Sequence, residues 1–304
     1  MSNESIRIGI DLGGTKIEAI ALDFAGETLA RRRIATPAHD YDEIIRAVAA
    51  LARDVELETN RRGSVGVGAP GSVSKATGLA KGSNTRVLNG RPLTADLSAA
   101  LARPVRLEND ANCFALSEAV DGAGQGARVV FGVILGTGVG GGVVIDQRVM
   151  QGRNHIGGEW GHTPLPWMTP DEYPGARCFC GHDGCIETFL SGPGLSRDYA
   201  RRSGETLRGE EIVARAETGE AAALAALDAY RDRLARALAL VIDILDPDVI
   251  ALGGGMSNVA PIYEGLMERV AAHAFTDALD TRIVKNVHGD SGGVRGAAWL
   301  WRDG

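Results

Sequence analysis

The chain has 304 residues, 44% of them hydrophobic, and a formal net charge of -7. That is enough apolar material for one large core or two modest ones. The acidic balance, with no basic run longer than Arg31-Arg32-Arg33, argues against broad nucleic-acid binding, which needs a concentrated basic surface.

No apolar stretch approaches the ~20 residues that cross a bilayer. The opening MSNESIRIGID enters a strand-like run at once, without the charged-then-apolar pattern of a leader. A soluble, cytoplasmic protein is expected, and reducing conditions there disfavour structural disulfides.

In chain order, Ile6–Ile10 reads as a strand that meets Asp11-Leu-Gly-Gly-Thr-Lys16, after which Ile17–Leu22 reads as a second. Two strands about a Gly-Gly turn predict a hairpin whose backbone a ligand can approach closely. A helix is predicted from about Asp42 to Glu58, with Ile45, Val48, Leu51, Ala52 and Val55 on one face. Ser64–Gly71 is a strand ending in a Gly/Pro turn. Val105–Asp110 is a short strand ending in a polar knot, END, with a helix opening behind it to Ala119.

The run Val129–Asp146 (VVFGVILGTGVGGGVVID) then echoes Ile6–Asp23 (IRIGIDLGGTKIEAIALD) at a constant offset, which suggests a structural duplication. Pro164, Pro166, Pro170 and Pro174 predict an irregular loop. A long helix is expected over Ala221–Leu245, then a buried strand at Val249–Leu252 that runs into Gly253-Gly-Gly-Met-Ser257 and a further helix. Strands alternate with helices, so the class is α/β.

Three strand-to-glycine turns, DLGGTK, LGTGVGGG and LGGGMSN, can present backbone N–H groups to phosphate oxygens. None has the P-loop spacing or a clean GxGxxG fingerprint. Each alone is weak evidence; together they point to a nucleotide, with Asp11 able to act through magnesium or merely to stabilise its own turn. Asp110 has the chemistry to accept a proton from an alcohol during phosphoryl transfer. On the residues alone, Asn109 or Asp110 capping a helix is the simpler reading. Cys178, Cys180 and Cys185, in CFCGHDGC, supply three soft ligands for a structural zinc, with His162 or the nearer His182 as the fourth. The spacing lacks the CxxC of a redox motif. Cys113 reads as a buried thiol.

This ordered set resembles the ROK family of sugar kinases and repressors over nearly the whole chain. DLGGTK, END, the GEWGH of Gly158–His162, the CxCGxxGCxE of Cys178–Glu187, Gly136–Gly142 and Leu252–Ser257 carry the likeness. The resemblance implies an actin-like ATPase fold of the hexokinase, ribonuclease H-like type, with two lobes around a cleft. Residues 1–118 plus 290–304 would form the small lobe, and 119–289 a large lobe carrying the zinc motif. It implies ATP and magnesium bound through Asp11, Gly13, Gly14, Thr15, Lys16, Gly136, Thr137, Gly138, Gly254 and Gly255. It also implies Asp110 as catalytic base, and sugar contacts from Asn109, Asp110, Glu159, His162 and Glu187. His162 becomes the fourth zinc ligand, beside Cys178, Cys180 and Cys185. A homodimer follows from family habit alone.

Within the family, Trp160, the LPWM of Leu165–Met168, CIETFLSG and GDSGGVRGAAWLW resemble fructokinases that also accept mannose. The expected activity is therefore transfer of the γ-phosphoryl group of ATP to the 6-hydroxyl of fructose, with an N-acetylglucosamine kinase as the alternative. A repressor is disfavoured, since the first phosphate motif starts at Asp11. A non-catalytic sugar sensor is disfavoured too, because it has no need of Asp110, Lys16 and three glycine turns together. Trp299, Leu300 and Trp301 read as packing residues of a final apolar helix.

Overall fold

The computed structural model describes residues 5–302; the part of the leader argument that rests on Met1–Glu4 lies outside them, as do the last two residues of the 290–304 segment. The chain divides into two units, one of residues 1–126, 142–157 and 287–304, the other of 127–141 and 158–286.

The first unit opens with β1 (Ile6–Leu12), β2 (Lys16–Leu22) and β3 (Thr28–Ala35), followed by helix α1 (Tyr41–Thr59). Then come β4 (Gly63–Ala69), the short pair β5 (Ser72–Val73) and β6 (Ala80–Lys81), α2 (Leu93–Leu101), β7 (Val105–Asn109) and α3 (Asp110–Asp121). Its sheet has the order β3-β2-β1-β4-β7. The predicted hairpin is present, with Asp11 opposite Glu18 and Leu12 opposite Ile17. β1 pairs in parallel with β4, and β4 with β7, so the strand ends that bear Asp11 and Asn109 lie at one edge of the sheet. Six of the seven residues of β1 are buried, as a strand covered on both faces requires. One cover is α1, whose Ile44, Val48, Leu51 and Val55 are fully or almost fully buried. The side chain of Asp40 caps its first turn by accepting Glu43 N at 3.0 Å.

The next strands are β8 (Val129–Leu135), β9 (Val139–Ile145) and β10 (Arg148–Val149). The second unit continues with α4 (Ile186–Leu190), α5 (Gly192–Ser203), α6 (Gly209–Glu217), α7 (Ala221–Leu245), β11 (Val249–Gly253), α8 (Leu266–Ala271) and β12 (Arg282–Lys285). The order of the second sheet, β10-β9-β8-β11-β12, repeats the first strand for strand. β8 pairs in parallel with β11, and β11 with β12, as β1, β4 and β7 do. The internal echo in the sequence is this repeat.

α7 spans the predicted residues and stops where Asp246 turns left-handed, at φ 48°. The helix expected after Ser257 is corrected. Residues 255–258 and 260–263 form two 3-10 turns, and only Leu266–Ala271 is α-helical. Pro261 and the left-handed Gly265 (φ 64°) break the segment.

The chain returns to the first unit as α9 (Gly292–Trp299). It lies against β1, β4 and α3 at backbone distance: a Cβ at Gly9, Gly66 or Gly296 would overlap a carbonyl of Val294, Ala297 or Cys113. Three glycines thus let α9 seat closely on the sheet and on α3. Trp299 donates to Asp121 Oδ2 at 3.1 Å, and Trp301 to the carbonyl of Val65 at 2.6 Å. Among the described residues, no helix is long and apolar enough to cross a membrane.

Candidate active site and metal centre

In the first unit, the DLGGTK turn is closed by Gly13 N donating to the carbonyl of Lys16 at 3.0 Å. Thr36 supports it from outside, through Oγ1 to Gly13 O at 2.7 Å and N to Thr15 O at 3.0 Å. Gly14 and Thr15 are exposed at the tip, while Asp11 and Lys16 are partly buried at its base. Burial, then the charges of Asp110 and Glu18, push the Asp11 carboxyl up to about 7. A carboxyl so placed is poised to gain a cation.

At the end of β7, Asn109 is the N-cap of α3. Its Oδ1 accepts Ala111 N at 2.9 Å and Asn112 N at 3.4 Å, and its Nδ2 donates to Gly71 O at 2.9 Å. Asp110 Oδ1 also accepts Ala111 N, at 2.9 Å. Capping and catalysis are therefore compatible here. The cap fixes the turn, and Asn109 keeps one Nδ2–H for a ligand because both Oδ1 lone pairs and the other hydrogen are engaged.

In the second unit, Glu159 is exposed at the head of the 3-10 turn Trp160–His162. His162 Nδ1 lies 3.6 Å from Cys178 Sγ, and Cys180 Sγ lies 3.5 Å from Cys185 Sγ. One ligand atom from each of the four residues falls within 4.8 Å of all the others. A tetrahedral zinc with Zn–S bonds of ~2.3 Å separates its sulfurs by about 3.8 Å, and a Cys₃His set gathered within 4.8 Å suits that ion in donor type and number. His182 is not among these four; its Nδ1 lies 3.6 Å from Cys180 Sγ alone. Glu187 lies in the first turn of α4 and joins two motifs: Oε2 accepts Val139 N at 3.1 Å, and Oε1 lies 3.7 Å from Cys178 Sγ.

The glycines of the second and third motifs differ in purpose. Gly136 is open on its Cβ side. A Cβ at Gly138 would stand 2.6 Å from Glu187 Oε2, so this glycine leaves room for that carboxylate where it lies. Gly254 adopts φ 79° against the backbone of Leu135, while Gly255 is open.

Gly136, Thr137 and Gly255 line a pocket of about 340 Å³ with Gly192, Pro193 and Arg208. The first residues of α5 and α6 both face it, and helix N-termini favour anions. Pro193 and Arg208 in this wall lie outside the three glycine motifs, while Met256 belongs to the third. The SGPG of Ser191–Gly194, a capping serine followed by proline, is a helix-start signature that marks the spot.

Two repeated α/β sheets, each with a glycine turn at its first hairpin, are the actin-like ATPase fold. The ROK family model matches residues 7–304, and the chain belongs to that family. The ROK hexokinase from Thermus thermophilus superposes with a TM-score of 0.87 at 31% identity, over 96% of each chain. A ROK family glucokinase from Streptomyces griseus, solved with glucose and AMPPNP, gives 0.80 at 27% identity over 99% of this chain and all of that one. The N-acetyl-D-glucosamine kinase of Photobacterium profundum is 44% identical over 296 residues, 96% of this chain and 98% of that protein. Relatives from Yersinia, Vibrio and Escherichia at 40–42% identity carry the same name.

These relatives overturn the fructokinase expectation, and the structure supplies the reason. Trp160 is 7% exposed, edge-on to Phe131 (5.7 Å, 84°), with its indole N–H on Gly140 O. Leu165 is buried, and the carbonyls of Pro166 and Trp167 accept from Arg236 of α7 at 2.8 and 3.0 Å. Trp167 stacks on His273. Trp160 and Leu165, taken as fructose markers, are packing residues of the second unit, and the C-terminal marker GDSGGVRGAAWLW belongs to the first, where α9 lies.

Proposed function

We propose that the chain is an ATP-dependent N-acetyl-D-glucosamine kinase that phosphorylates the sugar's 6-hydroxyl. What carries the reading is the run of relatives at 40–44% identity over 96% of the chain. In this reading Asp110 accepts the hydroxyl proton, held at the start of α3 by the Asn109 cap. Asn109 donates its remaining Nδ2–H to the sugar, while Glu159, His162 and Glu187 read its hydroxyls; fixed, directional partners give such selectivity. The DLGGTK turn and the pocket at Gly136, Thr137 and Gly255 take the nucleotide, with Gly254 setting the turn into it. Asp11 contributes the carboxylate toward a magnesium ion.

His162, Cys178, Cys180 and Cys185 would hold a zinc ion, which when bound supplies structural cross-linking of the loop. With Nδ1 facing Cys178, His162 would present Nε2 to the sugar. The same clip would fix Glu187.

The test is a coupled ADP-release assay with ATP and magnesium, comparing N-acetylglucosamine, glucose, mannose and fructose, with Asp110→Asn beside wild type. Expected are the highest kcat/KM on N-acetylglucosamine and a fall of about 10³-fold or more in the variant. A clear preference for another hexose would overturn the substrate, and an active Asp110→Asn the base.

A further inference from the structure

Directly before Asn109 and Asp110 in the chain stands a carboxylate that the proposed chemistry does not use. Glu108, the residue before Asn109, is 9% exposed. Its Oε1 accepts Asn109 N at 2.8 Å and Asn112 Nδ2 at 2.9 Å, and its Oε2 accepts Gln151 Nε2. The carboxylate fixes which way the Gln151 amide points, since the reverse would set Oε1 against a negative oxygen. Hydrogen bonds to an ionised acceptor are the strong ones, and this group has three.

Gln151 follows β10 in the segment 142–157. Its own carbonyl accepts Gly157 N at 2.9 Å, which closes the loop immediately before Gly158-Glu159. The same segment meets α3 a second time. A Cβ at Gly142 would stand 2.7 Å from the carbonyl oxygen of Ala111 and 2.9 Å from Cα of Asn112. The first turn of α3 is thus held at two points by one stretch of chain: backbone against backbone at Gly142, and amide against carboxylate at Gln151.

We infer that Glu108 and Gln151 are a positioning pair, which locks the Asn109–Asp110 turn to the loop that runs into Glu159. Neither is assigned contact with the sugar; they act through the residues they hold. The inference rests on the sugar-kinase reading, since the turn is worth fixing only if Asp110 must meet a hydroxyl.

Gln151→Glu sets two carboxylates face to face. The double exchange Glu108→Gln with Gln151→Glu reverses donor and acceptor while keeping their shapes. A misplacement of ~1 Å in catalytic geometry can cost ~10²-fold in rate. Gln151→Glu is therefore expected to lose about 10²-fold in kcat while the sugar KM moves by less than about threefold, and the double exchange to recover most of that loss. Gln151→Ala, which removes only the donor from a partly exposed position, should show the same split at about tenfold.

Wild-type kcat in Gln151→Glu, or a loss seen wholly in KM or in melting temperature, overturns the inference. So does a folded double exchange that recovers nothing. If wild type itself phosphorylates no amino sugar, the functional reading fails first. Amide hydrogen exchange at Asn109, Ala111 and Asn112 then decides the pair: faster exchange in Gln151→Glu, restored by the double exchange, sustains it, and unchanged exchange removes it.

Discussion

Gly138→Ala should separate activity from stability. The new methyl carbon would stand 2.6 Å from Glu187 Oε2, and the oxygen must retreat by ~0.6 Å or more before the contact becomes tolerable. Its bond from Val139 N is already 3.1 Å, so that retreat carries it beyond the ~3.2 Å range of a good N–H···O bond. The obstacle is the far end of a flexible side chain, which swings aside cheaply. The stability cost is then roughly one charge-assisted hydrogen bond, about 1–2 kcal/mol, visible as a drop of a few degrees in melting temperature. The carboxylate cannot stay where it is, however, and a sugar contact displaced by this much should lose about 10²-fold in kcat/KM. Steady-state kinetics on N-acetylglucosamine and thermal melts of the same preparations check both halves. Activity within about threefold of wild type, in a protein of near wild-type stability, would refute the assignment of Glu187 to the sugar. A collapse in stability would refute the claim that only a side chain stands in the way.

The raised carboxyl of Asp11 predicts a pH signature with a definite sign. Its folded value of about 7 lies above the ordinary 3.8, through burial first and then Asp110 and Glu18. Below pH ~4 it is protonated folded or unfolded and costs nothing; between ~4 and ~7 stability is progressively lost, and above ~7 the cost is complete. Asp11→Asn should gain on wild type across that window, by no more than about 4 kcal/mol, in denaturant titrations at stepped pH; a constant gain would contradict the burial argument. Glu172 runs the opposite way. Burial raises its carboxyl, but bonds from Arg236, Arg233 and Thr169 N outweigh that and hold it near about 2. Its contribution should be present above pH ~4.5 and lost as pH falls toward ~2. Glu172→Ala, which leaves Arg233 only Asp198 and Arg236 only Asp232 as carboxylate partners, should cost about 1–3 kcal/mol by chemical denaturation. Elemental analysis of the purified protein should give one zinc per chain, and Cys185→Ala should lose it together with the order of the 163–187 loop, read by limited proteolysis; a metal-free wild type with a protected loop would sink the metal reading.

The hairpins, α1 and α7 were legible because their signals are local: apolar period, glycine turns and a helix of unbroken pattern. β3 was not. Its sequence TLARRRIA buries only Ala30, and three consecutive arginines do not read as a strand. What makes it one lies elsewhere in the chain, since Arg31 and Arg33 pair at 2.6 and 2.5 Å with Glu18 of β2, a carboxylate only 1% exposed. Pairing of that kind is a property of the sheet register, and periodicity within one segment carries no trace of it. The segment after Ser257 failed for the opposite reason, its apolar residues outvoting the Pro261 and Gly265 that interrupt them.

The DLGGTK turn, the END segment and the CFCGHDGC cluster stand out in the sequence because each is built within a few residues. The identity of the sugar does not. Trp160 and Leu165–Met168 look like markers in a linear alignment of motifs, yet Trp160 is committed to Phe131 and Gly140, and the backbone of Pro166 and Trp167 to Arg236. A side chain whose polar groups are already spent reports how the unit packs and has nothing left with which to tell a hydroxyl from an acetamide. Asn109 shows how remaining capacity can be counted. Its oxygen is filled by two amides of α3 and one amide hydrogen is given to Gly71, so it can offer a ligand one donor and no acceptor. Discrimination by hydrogen bonding must come from such residues, and their spare donors and acceptors follow from the folded network rather than from the residue type.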